Sequence, residues 1–283
     1  MVPIINTHDL AAIFSEKNLV LIDARTGPGI QQKYNLEHLK GALFVDLETE
    51  MAHKSADAAD GGRHPLPDIS VFAELLGKLG ITPESHVVVY DDKNGANAAA
   101  RFWWMLRAIG HEKVQVLNGG YDAAIEAGVP TSSSTEAPIA QPPYPHSTWK
   151  MPVATINEVA QVTHHPAKLV IDVRDAARYR GETEPIDLVA GHIPGAVNIP
   201  FSSNLNQQGF YLTPEELAAK YNEVLKDRNA EDVIVHCGSG VTACHTILAM
   251  DQAGLGIPKL YVGSWSEWSR SGRPMAKGKD TNA

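Results

Sequence analysis

The chain repeats itself, and that constrains its fold more than any other feature. LVLIDAR (19–25) and HLKGA (38–42) in the first half return as LVIDVRD (169–175) and HIPGA (192–196) in the second. HVVVYDDKNGANAAARFWWML (86–106) is answered by DVIVHCGSGVTACHTILAM (232–250), and VQVLNGGYDAA (114–124) by LYVGSWSEW (260–268). The order is the same in both halves. Ordered self-similarity over so long a period predicts two copies of one domain rather than a short-repeat solenoid. A chain of 283 residues is long enough for two domains of about 140 residues each.

Each copy alternates short β-branched runs with helical patterns. VVVY (87–90) and VIVH (233–236) are too apolar to alternate, which predicts strands covered on both faces. Strand, helix and strand in succession predict an α/β domain with a parallel sheet flanked by helices and right-handed crossovers. TPEELAAKYNEVL is predicted to begin a helix with Thr213 as N-cap and Glu216 completing a capping box. Ser- and Pro-rich sequence between the halves reads as a partly extended linker. The expected division is a domain over 1–129, a linker over 130–152 and a second domain over 153–283.

Composition narrows the function. A net charge of −9 argues against nucleic acid or an anionic membrane as partner. No run approaches the ~20 apolar residues of a membrane span, and the N-terminus lacks a basic start followed by a long apolar stretch. There are two cysteines, Cys237 and Cys244, too few for a secreted disulfide framework and without zinc spacing. A reducing cytoplasm is the expected compartment, with no metal site.

HCGSGVTACH places Cys237 between a buried strand and a helix, at the carboxyl end of the sheet, where open α/β sheets bind ligands. Gly238 and Gly240 permit close backbone approach, and amides of such a turn can form an anion-binding nest. With the positive end of the following helix they favour a thiolate, the nucleophilic form. Cys244, two helical turns on, is expected in the core. A Cys-type phosphatase needs an Arg six residues after its Cys to fork the phosphoryl oxygens. Here that position is Ala243, and no Arg or Lys occurs from Cys237 to Met250.

The combination of HIPGAVNIPF (192–201), CGSGVTA (237–243), RFWWM (101–105) and GSWSEW (263–268) resembles the rhodanese superfamily, in particular its tandem-domain thiosulfate and mercaptopyruvate sulfurtransferases. The resemblance spans nearly the whole chain. It implies two rhodanese-like domains, an inactive first one with Asp91 at the place of the nucleophile, and a second one carrying sulfur on Cys237. Thiosulfate enzymes of this family usually carry two basic residues after the Cys; Gly238 and Ser239 look like the mercaptopyruvate type. That type implies a proton relay of Ser239, His64 and Asp46, and a donor site made of Arg178 with Gly238, Gly240, Val241 and Thr242. Arg180 is the alternative to Arg178. His192 is expected to be a turn residue, and Trp103 and Trp104 core or interface residues. A second carboxylate-binding Arg is expected after Glu184-Pro185, but Ile186 and Asp187 stand there. Either another cation replaces it or the donor binds less tightly, and thiosulfate stays open as a donor. The implied acceptor is thioredoxin or a small thiol, and no cofactor is implied.

Overall fold

The computed structural model describes residues 1–162 and 165–278. It divides into two compact units. The N-terminal unit comprises Met1–His53, Pro67–Met151 and Gln207–Phe210; the C-terminal unit comprises Lys54–Leu66, Pro152–Asn206 and the chain from Tyr211 onward.

The N-terminal unit runs β1 (Ile4–Ile5), α1 (Thr7–Ile13), β2 (Leu19–Asp23), α2 (Ile30–Leu36), β3 (His38–Leu39), β4 (Ala42–Phe44), α3 (Ile69–Lys78), β5 (His86–Tyr90), α4 (Ala98–Ile109), β6 (Val114–Leu117), α5 (Gly120–Glu126) and β7 (Thr131–Ser132). Its parallel sheet has the order β1-β6-β5-β2-β4. The C-terminal unit runs α6 (Ile156–Val162), β8 (Leu169–Asp172), α7 (Ala176–Tyr179), β9 (Val197–Asn198), α8 (Pro214–Leu225), β10 (Val233–His236), α9 (Ala243–Gln252), β11 (Lys259–Leu260) and α10 (Ser264–Trp268). Its parallel sheet has the order β11-β10-β8-β9. Strands β6-β5-β2-β4 therefore repeat as β11-β10-β8-β9, and the sequence repeat is a repeat of topology.

The apolar runs sit where their composition demands. Every residue of β5 and of β10 is buried, because each is an interior strand covered on both faces. Helix α8 begins with Thr213 capping the Glu216 amide and Glu216 returning a bond to the Thr213 amide, with Pro214 in the first turn. Trp103 and Trp104 are fully buried in α4, and Cys244 in α9. Among the described residues no helix is long and apolar enough to cross a membrane.

The two His-x-x-Gly-Ala turns serve the fold in the same way twice. His38 stacks on Tyr34 at 4.0 Å and bonds its carbonyl oxygen through Nδ1; His192 stacks on Tyr179 at 3.8 Å and does likewise. Both tyrosine hydroxyls donate to the carbonyl of the Ala that ends the motif, Ala42 or Ala196. These are structural turn residues.

Candidate active site

Strand β10 ends at His236, and the chain turns through 237–242 before entering α9. Cys237 lies on that turn and is only 3% exposed. Its N–H donates to Ser264 Oγ at 3.1 Å, and its carbonyl accepts from the Trp265 amide at 3.0 Å. The Gly238 carbonyl accepts from the Ser266 amide at 2.9 Å. Ser264 itself adopts φ +54°, a left-handed conformation that costs an L-residue roughly 1–2 kcal/mol. Its hydroxyl donates onward to the Tyr261 carbonyl, so the strained residue is held between two backbone partners. Gly240 has φ +73°, and a Cβ there would lie 2.5 Å from the Val262 carbonyl oxygen. Only glycine lets the turn close against Val262. Val241 and Thr242 lead into α9, their carbonyls accepting from the Cys244 and His245 amides. The Cys244 thiol donates to the Gly240 carbonyl and packs in the core.

His64 belongs to the segment 54–66, which packs with the C-terminal unit. Its Nδ1 lies 2.7 Å from Ser239 Oγ, and both residues are buried at 7% exposure. The reason is backbone anchorage next door. A Cβ on Gly62 would lie 2.5 Å from the Gly263 carbonyl oxygen. The Arg63 amide donates to Ser266 Oγ, and the Gly61 amide to Glu267. GGRH is thus strapped onto the same turn that pins Cys237. Asp46 lies in the N-terminal unit, where its Oδ1 accepts from the amide and hydroxyl of Thr49 and caps that turn.

Four arginines and three carboxylates form one connected ion-pair network beside the loop. Arg174 is bound twice over by Asp172 and reaches Glu184 at 3.4 Å. Arg178, on α7, donates to Glu184 at 2.7 and 3.2 Å and to Asp187 at 3.4 Å. Arg63 meets Asp187 at 3.2 Å and Arg270 meets it at 3.1 Å. Burial alone pushes the Asp172 and Glu184 carboxyls up, but their arginine partners dominate and hold both below the ordinary carboxylate range. Arg174 is held above its usual value: burial works against its charge, and Asp172, Glu184 and Cys237 outweigh burial. Arg180 instead pairs with Glu182 at the surface.

Two of these guanidiniums face the Cys237 loop. A Cβ placed on Gly238 would lie 3.0 Å from Arg63 Nη2 and 3.6 Å from Arg178 Nη2. Arg178 was predicted from its motif; Arg63, Asp187 and Arg270 were not. Arg63 adjoins His64 in RHPLP, yet nothing in that spacing says that it turns toward Gly238. His236, directly before Cys237, is fully buried, with Nε2 3.7 Å from Asp172 Oδ2. Burial pushes its pKa down, so it is neutral at pH 7.

The same station in the N-terminal unit is built differently. Asp91 follows β5 as Cys237 follows β10, and it is fully buried. Its carboxylate accepts from the backbone amides of Lys93, Gly95, Asn97 and Ala99 at 2.8–3.1 Å.

The family model for the rhodanese-like domain matches twice, over residues 6–127 and 155–271. A probable 3-mercaptopyruvate sulfurtransferase of Pseudomonas aeruginosa is 40% identical over 97% of this chain and 98% of its own length. The thiosulfate sulfurtransferase of Rattus norvegicus is 36% identical over 90% of this chain and 87% of its own. Among solved structures, the 3-mercaptopyruvate sulfurtransferase from Leishmania major superposes with a TM-score of 0.83 at 30% identity, covering 96% of this chain and 75% of that one.

Proposed function

We propose, for a chain that belongs to the rhodanese family and is a sulfurtransferase, that it moves sulfane sulfur from 3-mercaptopyruvate to a thiol through a persulfide on Cys237. The observation that carries this reading is the Cys237 turn itself. It has a Ser–His pair at 2.7 Å on one side and two guanidiniums about Gly238 on the other. The first suits proton transfer and the second suits a carboxylate.

The Cys237 thiolate attacks the donor sulfur. The new S–S bond forms as the C–S bond breaks, and the electron pair passes to carbon as the enolate of pyruvate. The enolate takes a proton and leaves as pyruvate. Ser239, in contact with His64, moves the proton between the donor thiol and that carbon. Asp46 is the third relay member on the family pattern. Arg178 and Arg63 orient the carboxylate, which converts free encounter into fixed approach. The loop amides from Gly238 to Thr242 and the positive end of α9 hold the persulfide anion. An acceptor thiolate, from thioredoxin or a small thiol, or cyanide in vitro, then attacks the outer sulfur and releases the Cys237 thiolate. No step calls for a metal or an organic cofactor.

A second reading, thiosulfate as the donor, draws support from the rat relative and from the arginine-rich surroundings of the loop. The test is kcat/KM with each donor, on wild type and Cys237→Ser. Much the higher value with mercaptopyruvate, and loss of at least roughly a thousandfold in the variant, are the expected results. A higher value with thiosulfate reverses the donor assignment, and an active Cys237→Ser overturns the persulfide.

A further inference from the structure

An acidic side chain sits at the centre of this cationic site. Asp187 is fully buried at its carboxylate, and it accepts from Arg63, Arg178 and Arg270. Two of those three are the guanidiniums that flank Gly238. Four arginines against three carboxylates leave the network one positive charge in excess. That excess faces both the Cys237 thiolate and whatever anion the donor brings.

Given the Cys237 chemistry proposed above, we propose that Asp187 is a specificity-determining residue: its buried charge tunes the site for a singly charged donor over a doubly charged one. Arg63 supplies the second cation, from the strapped segment before His64. Asp187 draws part of the field of Arg63 and Arg178 onto itself, so the site offers enough charge to hold one carboxylate beside a thiolate. A dianion such as thiosulfate needs more. Its extra charge also meets the repulsion of Asp187, which no solvent screens because the carboxylate is buried. Replacing Asp187 by a neutral isostere adds one net positive charge to the network. A dianion gains from that change twice what a monoanion gains. The difference is one charge–charge term at close range in a medium of intermediate dielectric, worth roughly tenfold.

The experiment is the ratio of kcat/KM for thiosulfate to that for 3-mercaptopyruvate, with cyanide as acceptor at fixed low ionic strength. It is measured for wild type, Asp187→Asn and Arg63→Gln. The ratio should rise about tenfold in Asp187→Asn and fall about tenfold in Arg63→Gln. Opposite shifts are the signature of charge, which a merely structural role would not produce. Equal losses with both donors in Asp187→Asn, or shifts of the same sign in the two variants, overturn the proposal. Should Asp187→Asn not fold, an unchanged ratio in Arg63→Gln overturns it alone. Because the ratio is taken within enzymes that depend on Cys237, it tests the charge and not the nucleophile, which Cys237→Ser tests separately.

Discussion

Asp91 and Cys237 stand at one station of one topology, after equivalent strands and before equivalent helices, and they are used in opposite ways. Around Asp91 four backbone amides converge on a carboxylate that is part of the chain. The turn is filled and self-satisfied. Around Cys237 the turn is pinned from behind by Ser264, Trp265 and Ser266, and its front meets Ser239, His64, Arg63 and Arg178. The same strand-to-helix turn thus holds a fixed carboxyl group in one unit, where burial raises its pKa against the pull of the amides, and is equipped for a transient anion in the other. A fold that gathers amides at this place, as around Asp91, calls for a hydrogen-bond acceptor there. What it binds depends on whether the residue after the strand brings the acceptor with it.

If that contrast is right, removing the two side chains should have opposite signatures. Asp91→Ala leaves four buried amides without their acceptor and should cost about 4 kcal/mol of stability, read from urea unfolding. Cys237→Ser should cost less than about 1 kcal/mol while removing turnover. An Asp91→Ala protein as stable as wild type would mean that the N-terminal turn does not depend on its carboxylate.

Next in size is the effect on the proposed proton relay, whose Ser239–His64 contact has no counterpart at Asp91. Ser239→Ala should lower kcat/KM for mercaptopyruvate roughly a hundredfold and that for thiosulfate by only a few-fold. Thiosulfate carries no thiol proton and releases no carbanion, so it needs no relay. Equal losses with both donors would remove Ser239 and His64 from proton transfer.

The smallest effect concerns the residue before each station. Tyr90 donates its hydroxyl to Asp23 at 2.8 Å and stays neutral in acid. His236 occupies the same place beside Asp172, and burial lowers its pKa below 6.5. The unfolded chain therefore takes up a proton at His236 before the folded one does. Its stabilising contribution is complete above pH 6.5 and is lost as pH falls below that value toward the folded pKa. His236→Gln should flatten the loss of stability between pH 6.5 and 5.5, by at most about 1 kcal/mol. His111, also pushed down by burial, carries part of what remains. An identical slope in the variant would show that His236 titrates alike in both states.

Much of this was legible beforehand because it rests on local or periodic signals. Buried strands announce themselves as VVVY and VIVH, the α8 capping box lies within four residues, and the glycines about Ser239 mark a turn, which any other residue would strain at Gly240. The histidine of HIPGA reads as a turn residue, and it stacks on Tyr179, while the matching role of His38 in HLKGA emerges from the structure. The ion-pair network was not legible. Arg63 and Asp187 are separated by more than a hundred positions, and no periodicity links them.

By itself, then, the order of residues determined that the fold is doubled, that each copy is a parallel α/β unit, and that Cys237 sits at a strand end with Asp91 as its counterpart. These follow from hydrophobic period and turn chemistry, which act over a few residues. Only the tertiary structure decided that the segment 54–66 packs with the C-terminal unit, bringing His64 to Ser239 and Arg63 to Gly238. Only it decided that a buried carboxylate, Asp187, holds the arginines of the site together. Backbone approach such as that of Gly62 to Gly263, and Coulomb forces between side chains, depend on distance in space, which spacing along the chain does not record.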